Sequence, residues 1–135
     1  MRAVLDVNIV VSALLSTTGA PAQLLRAWQS GSFELLASPS LIAELERTLA
    51  YPKLRRHIDP GDARRVVEWL RSAARMVPDP DGQPSRRSAD PDDDYLIALA
   101  EAERAALVSG DRHLLSMPGD LPIFAAADFL ELLAD

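Results

Sequence analysis

The sequence contains no cysteine, which excludes both a disulfide framework and a zinc site built on thiolates. It has no uninterrupted apolar stretch long enough to span a bilayer, and no signal peptide at its start. We therefore expect a soluble, cytoplasmic protein with no membrane partner. Without thiolates, a bound metal would be held by oxygen atoms or by the two histidines, and oxygen ligands favour Mg²⁺ or Mn²⁺.

Lysine is almost missing as well, since Lys53 is the only one among 14 basic residues. The net charge of −6 argues against a bulk electrostatic nucleic-acid binder. What the sequence does have is a hydrophobic content of 48% over 135 residues, enough to bury one core. We predict a single domain over residues 1–135.

Short apolar runs alternate with helix-like segments along the whole chain. We predict strands at 2–6, 33–37, 76–77, 106–109 and 123–124. Helices are predicted to begin at or just after Asn8, Pro21, Ser38, Asp59, Asp90, Gly110 and Asp128, with Asn8, Asp90 and Asp128 as capping residues. Residues 78–89, rich in proline, are predicted to form a mobile loop. Strands that alternate with helices predict an α/β fold, with a parallel sheet between two helix layers.

Carboxylates follow two of the predicted strands. Asp6 comes directly after the first strand, and Asp111 follows the fourth strand behind Gly110. The carboxyl ends of parallel strands are where α/β sheets bind ligands. This position favours a functional role for Asp6, whereas Asp111 alone reads equally well as an ordinary turn residue.

Two further acids are harder to choose from the residues alone. In the run 90–94, Asp90, Asp92 and Asp93 have a sufficient explanation as helix-start acids that complement the helix dipole. Asp94 lies further inside the first turn and can point toward the strand ends. On the helix after Ser38, Glu44 and Glu46 flank the apolar face equally well, and the helical wheel does not decide between them.

Several carboxylates in one pocket call for a cation. Two of them about 5 Å apart repel by roughly 3 kcal/mol at an effective dielectric near 20. One or two divalent ions remove that repulsion, and they also provide chemistry for cleaving a phosphodiester. The pattern of acids therefore indicates a metal-dependent enzyme.

These residues resemble the PIN-domain family, of the VapC-like toxin type found in bacterial toxin–antitoxin pairs. The matching pieces, in chain order, are Val-Leu-Asp-Val-Asn at 4–8, Val-Ser-Ala-Leu at 11–14, Ser-Pro at 38–39 followed by Glu44 and Leu45, Asp-Pro-Asp-Asp-Asp-Tyr-Leu-Ile-Ala at 90–98, Leu-Val-Ser-Gly-Asp-Arg-His-Leu-Leu at 107–115, and Asp-Phe-Leu-Glu-Leu at 128–132. Each piece alone is weak, but the ordered set covers nearly the whole chain.

The resemblance implies a PIN-like three-layer α/β/α fold with a five-stranded parallel sheet, and a Mg²⁺- or Mn²⁺-dependent endoribonuclease acting on RNA. It carries the acidic, metal-binding site over to four residues: Asp6, Glu44, Asp94 and Asp111. It chooses Glu44 over Glu46, and it gives Asn8 and Ser109 the role of orienting the carboxylates. It also implies a homodimer and a cognate antitoxin protein.

Other classes remain open. A signalling receiver domain that transfers phosphoryl groups also places acids around Mg²⁺, but it needs a lysine after its last strand, and Lys53 lies in the wrong half of the chain. A dehalogenase-type phosphatase needs an acid where Asn8 stands. A PIN-like module that binds RNA or protein with a silent site is the non-enzymatic alternative, against which the retention of all four acids argues.

Overall fold

The structure, a computed structural model, describes residues 1–81, 93–117 and 121–134. Its strands are β1 (Arg2–Leu5), β2 (Glu34–Ala37), β3 (Arg75–Met76), β4 (Ala106–Val108) and β5 (Ile123–Phe124). Its helices are α1 (Val7–Leu15), α2 (Ala20–Gln29), α3 (Pro39–Leu49), α4 (Pro52–Arg55), α5 (Pro60–Ala73), α6 (Asp94–Glu103), α7 (Arg112–Leu115) and α8 (Ala126–Ala134). The predicted cap Asp90 and most of the predicted loop at 78–89 lie outside the described residues.

The five strands form one parallel sheet in the order β3-β2-β1-β4-β5, so the first strand of the chain lies in the middle. Ala3 of β1 aligns with Leu35 of β2 on one side and with Ala106 of β4 on the other. Helices connect successive strands and pack over the sheet. The predicted α/β fold with a five-stranded parallel sheet is confirmed.

The strands form because their residues can be buried on both faces, as the central strands of a parallel sheet require. In β1, Ala3, Val4 and Leu5 are almost completely buried, and all three residues of β4 are buried too. Helix α6 packs against β1 and β4, while α3 packs on α5 and α2 packs on α8. This burial fixes the carboxyl ends of β1 and β4 side by side.

Two helix starts differ from the prediction. Asp6, not Asn8, caps α1: its side chain accepts a hydrogen bond from the Asn8 backbone N–H, and Asn8 lies inside the helix. Asp128 does not cap α8, because that helix already begins at Ala126 and Asp128 lies in its first turn. The short helix α4 had no counterpart in the sequence prediction.

The amino ends of the strands carry paired charges. Arg2, at the start of β1, donates from Nη1 to the backbone oxygen of Glu103 at 2.8 Å and pairs with its carboxylate at 3.2 Å. The Nε of Arg2 lies 3.3 Å from the carboxylate of Glu34, at the start of β2, and Arg75 reaches the same carboxylate at 3.8 Å. Opposite charges thus link the starts of β1, β2 and β3 to the end of α6.

Among the residues that the structure describes, no single helix is long and apolar enough to cross a membrane. The helices α1 and α2 match that length and composition only as a pair, and they are bent by 103° at their break.

Candidate active site

Asp6 is the most buried acid among the described residues, with 5% of its surface exposed. Its backbone N–H donates to the Val108 carbonyl at 2.9 Å, which joins the end of β1 to the end of β4. Its Oδ2 accepts a 2.7 Å hydrogen bond from the Ser109 hydroxyl, and its Oδ1 accepts one of 3.3 Å from the Asn8 N–H. The carboxylate is therefore fixed at the point where the strand order reverses.

Burial raises the pKa of Asp6, because the charged carboxylate loses water on entering the protein. The hydrogen bonds from Ser109 and from the Asn8 backbone work against that rise, and the negative charge of Asp111 adds to it. Asp6 is thus an ionisable group held in a place that disfavours its own charge. Such groups concentrate at functional sites.

Asp111 lies beside Asp6 because Ser109 contacts both. The Ser109 hydroxyl accepts a 3.0 Å hydrogen bond from the Asp111 N–H while it donates to Asp6. Asp111 itself caps the short helix α7, accepting from the His113 N–H at 2.8 Å. Ser109 is completely buried, so this bridge is shielded from solvent.

Asp93 joins this group, although the sequence had suggested only a helix-start role for it. It occupies the capping position of α6 without making a capping hydrogen bond. Its carboxyl group instead acts on that of Asp111, whose pKa is lowered first by Asp93 and then by the hydrogen bond from the His113 N–H. Asp94, the predicted site residue, is the half-buried first residue of α6.

Helical spacing could have singled out Asp93. Four and seven residues further along α6 stand Ile97 and Ala100, which are buried, whereas the same steps from Asp94 lead to the half-buried Ala98 and Glu101. Asp93 is therefore in register with the buried face of α6, and Asp94 lies one residue off it.

Glu44 faces this side of the molecule and Glu46 faces away. Both Glu44 and Asp6 are close enough to act on the phenol of Tyr95, whose pKa is raised by burial first and then by the charges of Asp6, Glu44 and Asp93. Glu44 is also paired with Arg47 at 3.1 Å. Glu46 instead pairs with Arg71 of α5 at 2.8 Å. Tyr95 is a half-buried neighbour of these acids that the sequence prediction did not include.

Asn8 contributes to the site through its backbone. Its N–H binds Asp6, whereas its side chain lies on the exposed surface of α1. The predicted orienting role of Ser109 matches its two hydrogen bonds, to the side chain of Asp6 and from the backbone of Asp111.

The donors gathered here are carboxyl oxygens, the ligands that Mg²⁺ and Mn²⁺ prefer. Asp111 raises the pKa of Asp6 by its negative charge. A divalent cation would relieve this like-charge contact, so the chemistry of the donor set fits such an ion. Within residues 1–81, 93–117 and 121–134, however, no three acids or histidines are grouped closely enough to hold a metal as they stand.

Comparison with known proteins decides the family. A family model described as PIN domain matches residues 2–113, which span β1 to the start of α7. This chain belongs to the PIN-domain family. The match contains both strands that carry the buried site and the start of α6, so the acids described above lie within the PIN domain. PIN domains are commonly nucleases, and they typically use divalent metal ions.

One curated relative is the uncharacterized protein MJ1680 of Methanocaldococcus jannaschii. It is 27% identical over 119 residues, which cover 87% of this chain and 75% of the relative. Its name states no activity, so the chemistry of this PIN domain has to be argued from the residues themselves.

Proposed function

We propose that this PIN domain is an endoribonuclease that depends on Mg²⁺ or Mn²⁺ and hydrolyses RNA phosphodiester bonds. The observation that carries the proposal is the buried Asp6, held by Ser109 beside Asp111 at the carboxyl ends of β1 and β4. A charged carboxylate in a poorly solvated position lowers the stability of the fold. A bound cation would compensate for this loss, and cation binding would explain why the carboxylate is there.

The proposed metal ligands are Asp6 and Asp111, together with Glu44 and Asp94 from the sequence analysis and Asp93 from the structure. A divalent ion bound there would polarise the phosphodiester and make water nucleophilic at neutral pH. Ser109 keeps the Asp6 carboxylate in one orientation by donating to its Oδ2. Asp93 acts on Asp111 strongly enough to lower its pKa, and this pair is our candidate for exchanging protons with the substrate.

The first experiment asks whether the chain cleaves nucleic acid at all. Purified protein is incubated with structured RNA, single-stranded DNA and duplex DNA in Mg²⁺, Mn²⁺ or EDTA, beside an Asp6→Asn variant. We expect cleavage of RNA that stops in EDTA and in the variant. No metal-dependent cleavage of any substrate, or equal cleavage by the variant, would contradict the proposal.

A second experiment separates two neighbouring acids. Asp93→Asn and Asp94→Asn remove the same charge one residue apart, so the pair is internally matched. If Asp93 acts with Asp111, its variant loses more cleavage activity than Asp94→Asn does. A larger loss of activity in Asp94→Asn would instead support the four acids predicted from the sequence, which include Asp94 and not Asp93.

We further propose that the chain is the toxin of a type II toxin–antitoxin pair, active as a homodimer and blocked by a cognate antitoxin protein. The support is its PIN-domain membership together with the ordered motifs from Asp6 to 128–132. Induced expression in a bacterial host should arrest growth, and the Asp6→Asn variant should not. Normal growth during wild-type expression without any partner would count against the toxin role.

A catalytically silent module that binds RNA or protein is the second candidate. It is favoured by one observation: among the described residues, no three acids or histidines are grouped closely enough to hold a metal ion. Thermal unfolding with added Mg²⁺ or Mn²⁺ separates the two candidates, because an ion that binds only the folded state raises the midpoint. A midpoint unaffected by either ion, together with intact RNA, would favour the silent module.

A further inference from the structure

A second candidate site lies on the other flank of α3, in a groove between α3, α4 and α5. It has a volume of about 290 Å³ and is open to solvent. Three arginines line it, Arg55 from α4 and Arg64 and Arg71 from α5, together with Glu46 and Glu68. Its apolar lining is made of Leu49, Ala50, Pro60, Ala63 and Val67.

The charges of this groove are not all compensated within the fold. Arg71 and Glu46 neutralise each other across it at 2.8 Å. Arg55 donates its Nε to the Ala50 carbonyl at 3.2 Å, which holds the side chain against the end of α3. Neither Arg55 nor Arg64 forms an ion pair with a residue that the structure describes. Two exposed guanidinium groups, those of Arg55 and Arg64, are therefore left against one further carboxylate, that of Glu68 on α5.

The surroundings strengthen this local excess. From the start of α3 to the end of α5, residues 39–73 contain seven basic and five acidic residues, a net charge of +2 in a chain whose total is −6. Six of the seven basic residues are arginines. The guanidinium group is planar, weakly hydrated and able to bind a phosphate through two parallel hydrogen bonds. This stretch of α3, α4 and α5 is thus the part of the chain suited to a polyanion.

The lining of the groove favours a phosphate backbone over a protein segment. A protein partner is usually held through large apolar or aromatic side chains that lose all their water, whereas five of the ten residues that line this open groove are charged. No aromatic ring is among the described residues that line it, so stacking of bases is not provided for. What remains is contact with phosphates, which is independent of sequence.

The helix α3 connects this groove to the acidic site. Glu44 lies on the side of α3 that faces the acidic site. Arg47 and Ala50 follow it at intervals of three residues, and each interval changes the direction of the side chain by about 60° and advances about 4.5 Å along the helix axis. Arg47 pairs with Glu44 at 3.1 Å, and Ala50 lines the groove. The distance along the helix from Glu44 to Ala50 is therefore about 9 Å. A strand that leaves the acidic site over α3 passes Arg47 and arrives at Arg55.

We propose that the groove between α3, α4 and α5 binds backbone phosphates of the RNA strand outside the cleaved bond, with Arg55 and Arg64 as the contacting side chains. This inference rests on the proposed function, since it assumes that RNA is the substrate. It adds a second contact with the RNA strand, which contributes to affinity and does not depend on the base sequence.

Binding is measured without cleavage, using the full chain with Asp6→Asn in EDTA and a fluorescein-labelled single-stranded RNA. Affinity is determined by anisotropy between about 50 and 200 mM KCl. The test variant adds Arg55→Gln and Arg64→Gln, and the control variant adds Lys53→Gln and Arg56→Gln. Both pairs remove two exposed positive charges that form no ion pair with the described residues, but the control residues do not line the groove.

We expect the test pair to weaken RNA binding by about tenfold, with little sequence dependence. The slope of log Kd against log salt should fall by about 1.4, which corresponds to two lost phosphate contacts on a single strand. The control pair should change the affinity less than about twofold and leave the slope unchanged. Circular dichroism and thermal unfolding should be the same for both variants, because all four side chains are exposed.

An equal loss of RNA affinity in both variants, or no loss in either, would contradict the proposal that the groove binds RNA. A short polyglutamate peptide tests the other occupant: if the test pair loses the peptide and keeps RNA, the groove binds an acidic protein segment and the RNA assignment is wrong. Failure of the proposed function has a different signature. In that case the wild-type chain leaves RNA uncleaved in Mg²⁺, while the difference between the two pairs in EDTA persists.

Discussion

The two ends of the sheet treat charge in opposite ways. At the amino ends, Arg2 is paired with Glu34 and Glu103, so each charge has a partner of opposite sign at the half-exposed surface. At the carboxyl ends, Asp6 is buried beside another acid, and burial raises its pKa. The amino ends therefore gain what little stability exposed ion pairs offer, whereas the carboxyl ends keep an arrangement that stability alone would not select.

The difference teaches where to look for function in this fold. Both ends are formed by the same strands and the same helices, so the contrast does not come from packing. It comes from the side chains that follow each strand: Asp6 after β1, and Ser109 with Asp111 after β4. Substitutions at the two ends should therefore differ in kind.

Asp6→Asn should abolish RNA cleavage, with a loss greater than about 100-fold, and should at the same time stabilise the metal-free protein by about 1 kcal/mol at neutral pH. Asparagine has one side-chain oxygen in place of the two that accept from Asn8 and Ser109, so it keeps one of these hydrogen bonds while it removes the buried charge. Urea unfolding in EDTA measures the stability, and the nuclease assay measures the activity.

The gain in stability should depend on pH in a defined direction. Because the folded pKa of Asp6 is raised above its ordinary value of 3.8, the wild type loses stability as pH rises through the interval above 3.8, and the variant does not. The difference between the two should vanish in acid and grow toward neutral pH. Asp128→Asn, an exposed acid on α8, is the charge-matched control. A wild type that is more stable than Asp6→Asn at neutral pH would show that the two ends do not differ as described.

Ser109→Ala should reduce cleavage by about 10- to 100-fold and destabilise the fold by about 1–2 kcal/mol. The substitution leaves the buried Asp6 carboxylate without its 2.7 Å donor and the Asp111 N–H without its acceptor. Ser109→Thr restores the hydroxyl and should recover most of the activity. If Ser109→Ala kept full activity, the orientation of Asp6 by this hydroxyl would be irrelevant to cleavage.

Arg2→Gln tests the opposite end. It should cost no more than about 1 kcal/mol, because the side chain of Arg2 is 38% exposed and its ion pairs are screened by water. Cleavage should be unchanged, and the stability difference from the wild type should shrink in 1 M KCl. A loss of activity comparable to that of Ser109→Ala would remove the distinction between the two ends.

Arg104→Gly should give the smallest effect, a stabilisation of about 0.5 kcal/mol. Arg104 ends α6 in the left-handed region, with φ of 53°, where glycine is preferred. Arg104→Ala keeps the Cβ atom and is expected to show no such gain in a urea titration. An equal response of the two variants would mean that backbone strain at this position is negligible.

The strands were the predictable part of the fold. A parallel strand buried on both faces is a continuous apolar run, and β1 and β4 agree with their predicted positions to within one residue. Helix starts were less predictable, because Asp6 and Asn8 are both good capping residues two positions apart. Which of them caps α1 depends on where the backbone leaves the sheet, and that is set by pairing with β4 rather than by local sequence.

The same limit applies to the site. That Asp6 and Asp111 lie close together follows from their places after two strands that the sequence already indicates. The choice between Asp93 and Asp94 depends on which face of α6 is buried, and the apolar residues Leu96, Ile97, Leu99 and Ala100 cover more than one face of the helix. The separation of Glu44 from Glu46 depends on Arg71, a residue of α5, so the sequence of α3 alone could not provide it.

The hydrogen bond between Ser109 and Asp6 has a consequence for how the protein is made. It joins residues 103 positions apart, and β1 obtains its second neighbour only when β4 pairs with it. Contacts this distant along the chain slow folding, because a long loop has to close before they form. During synthesis on the ribosome, a nascent chain that has not yet emerged beyond residue 109 has an incomplete sheet and a carboxylate without its serine. The acidic site can therefore assemble only after residue 109 has joined the fold.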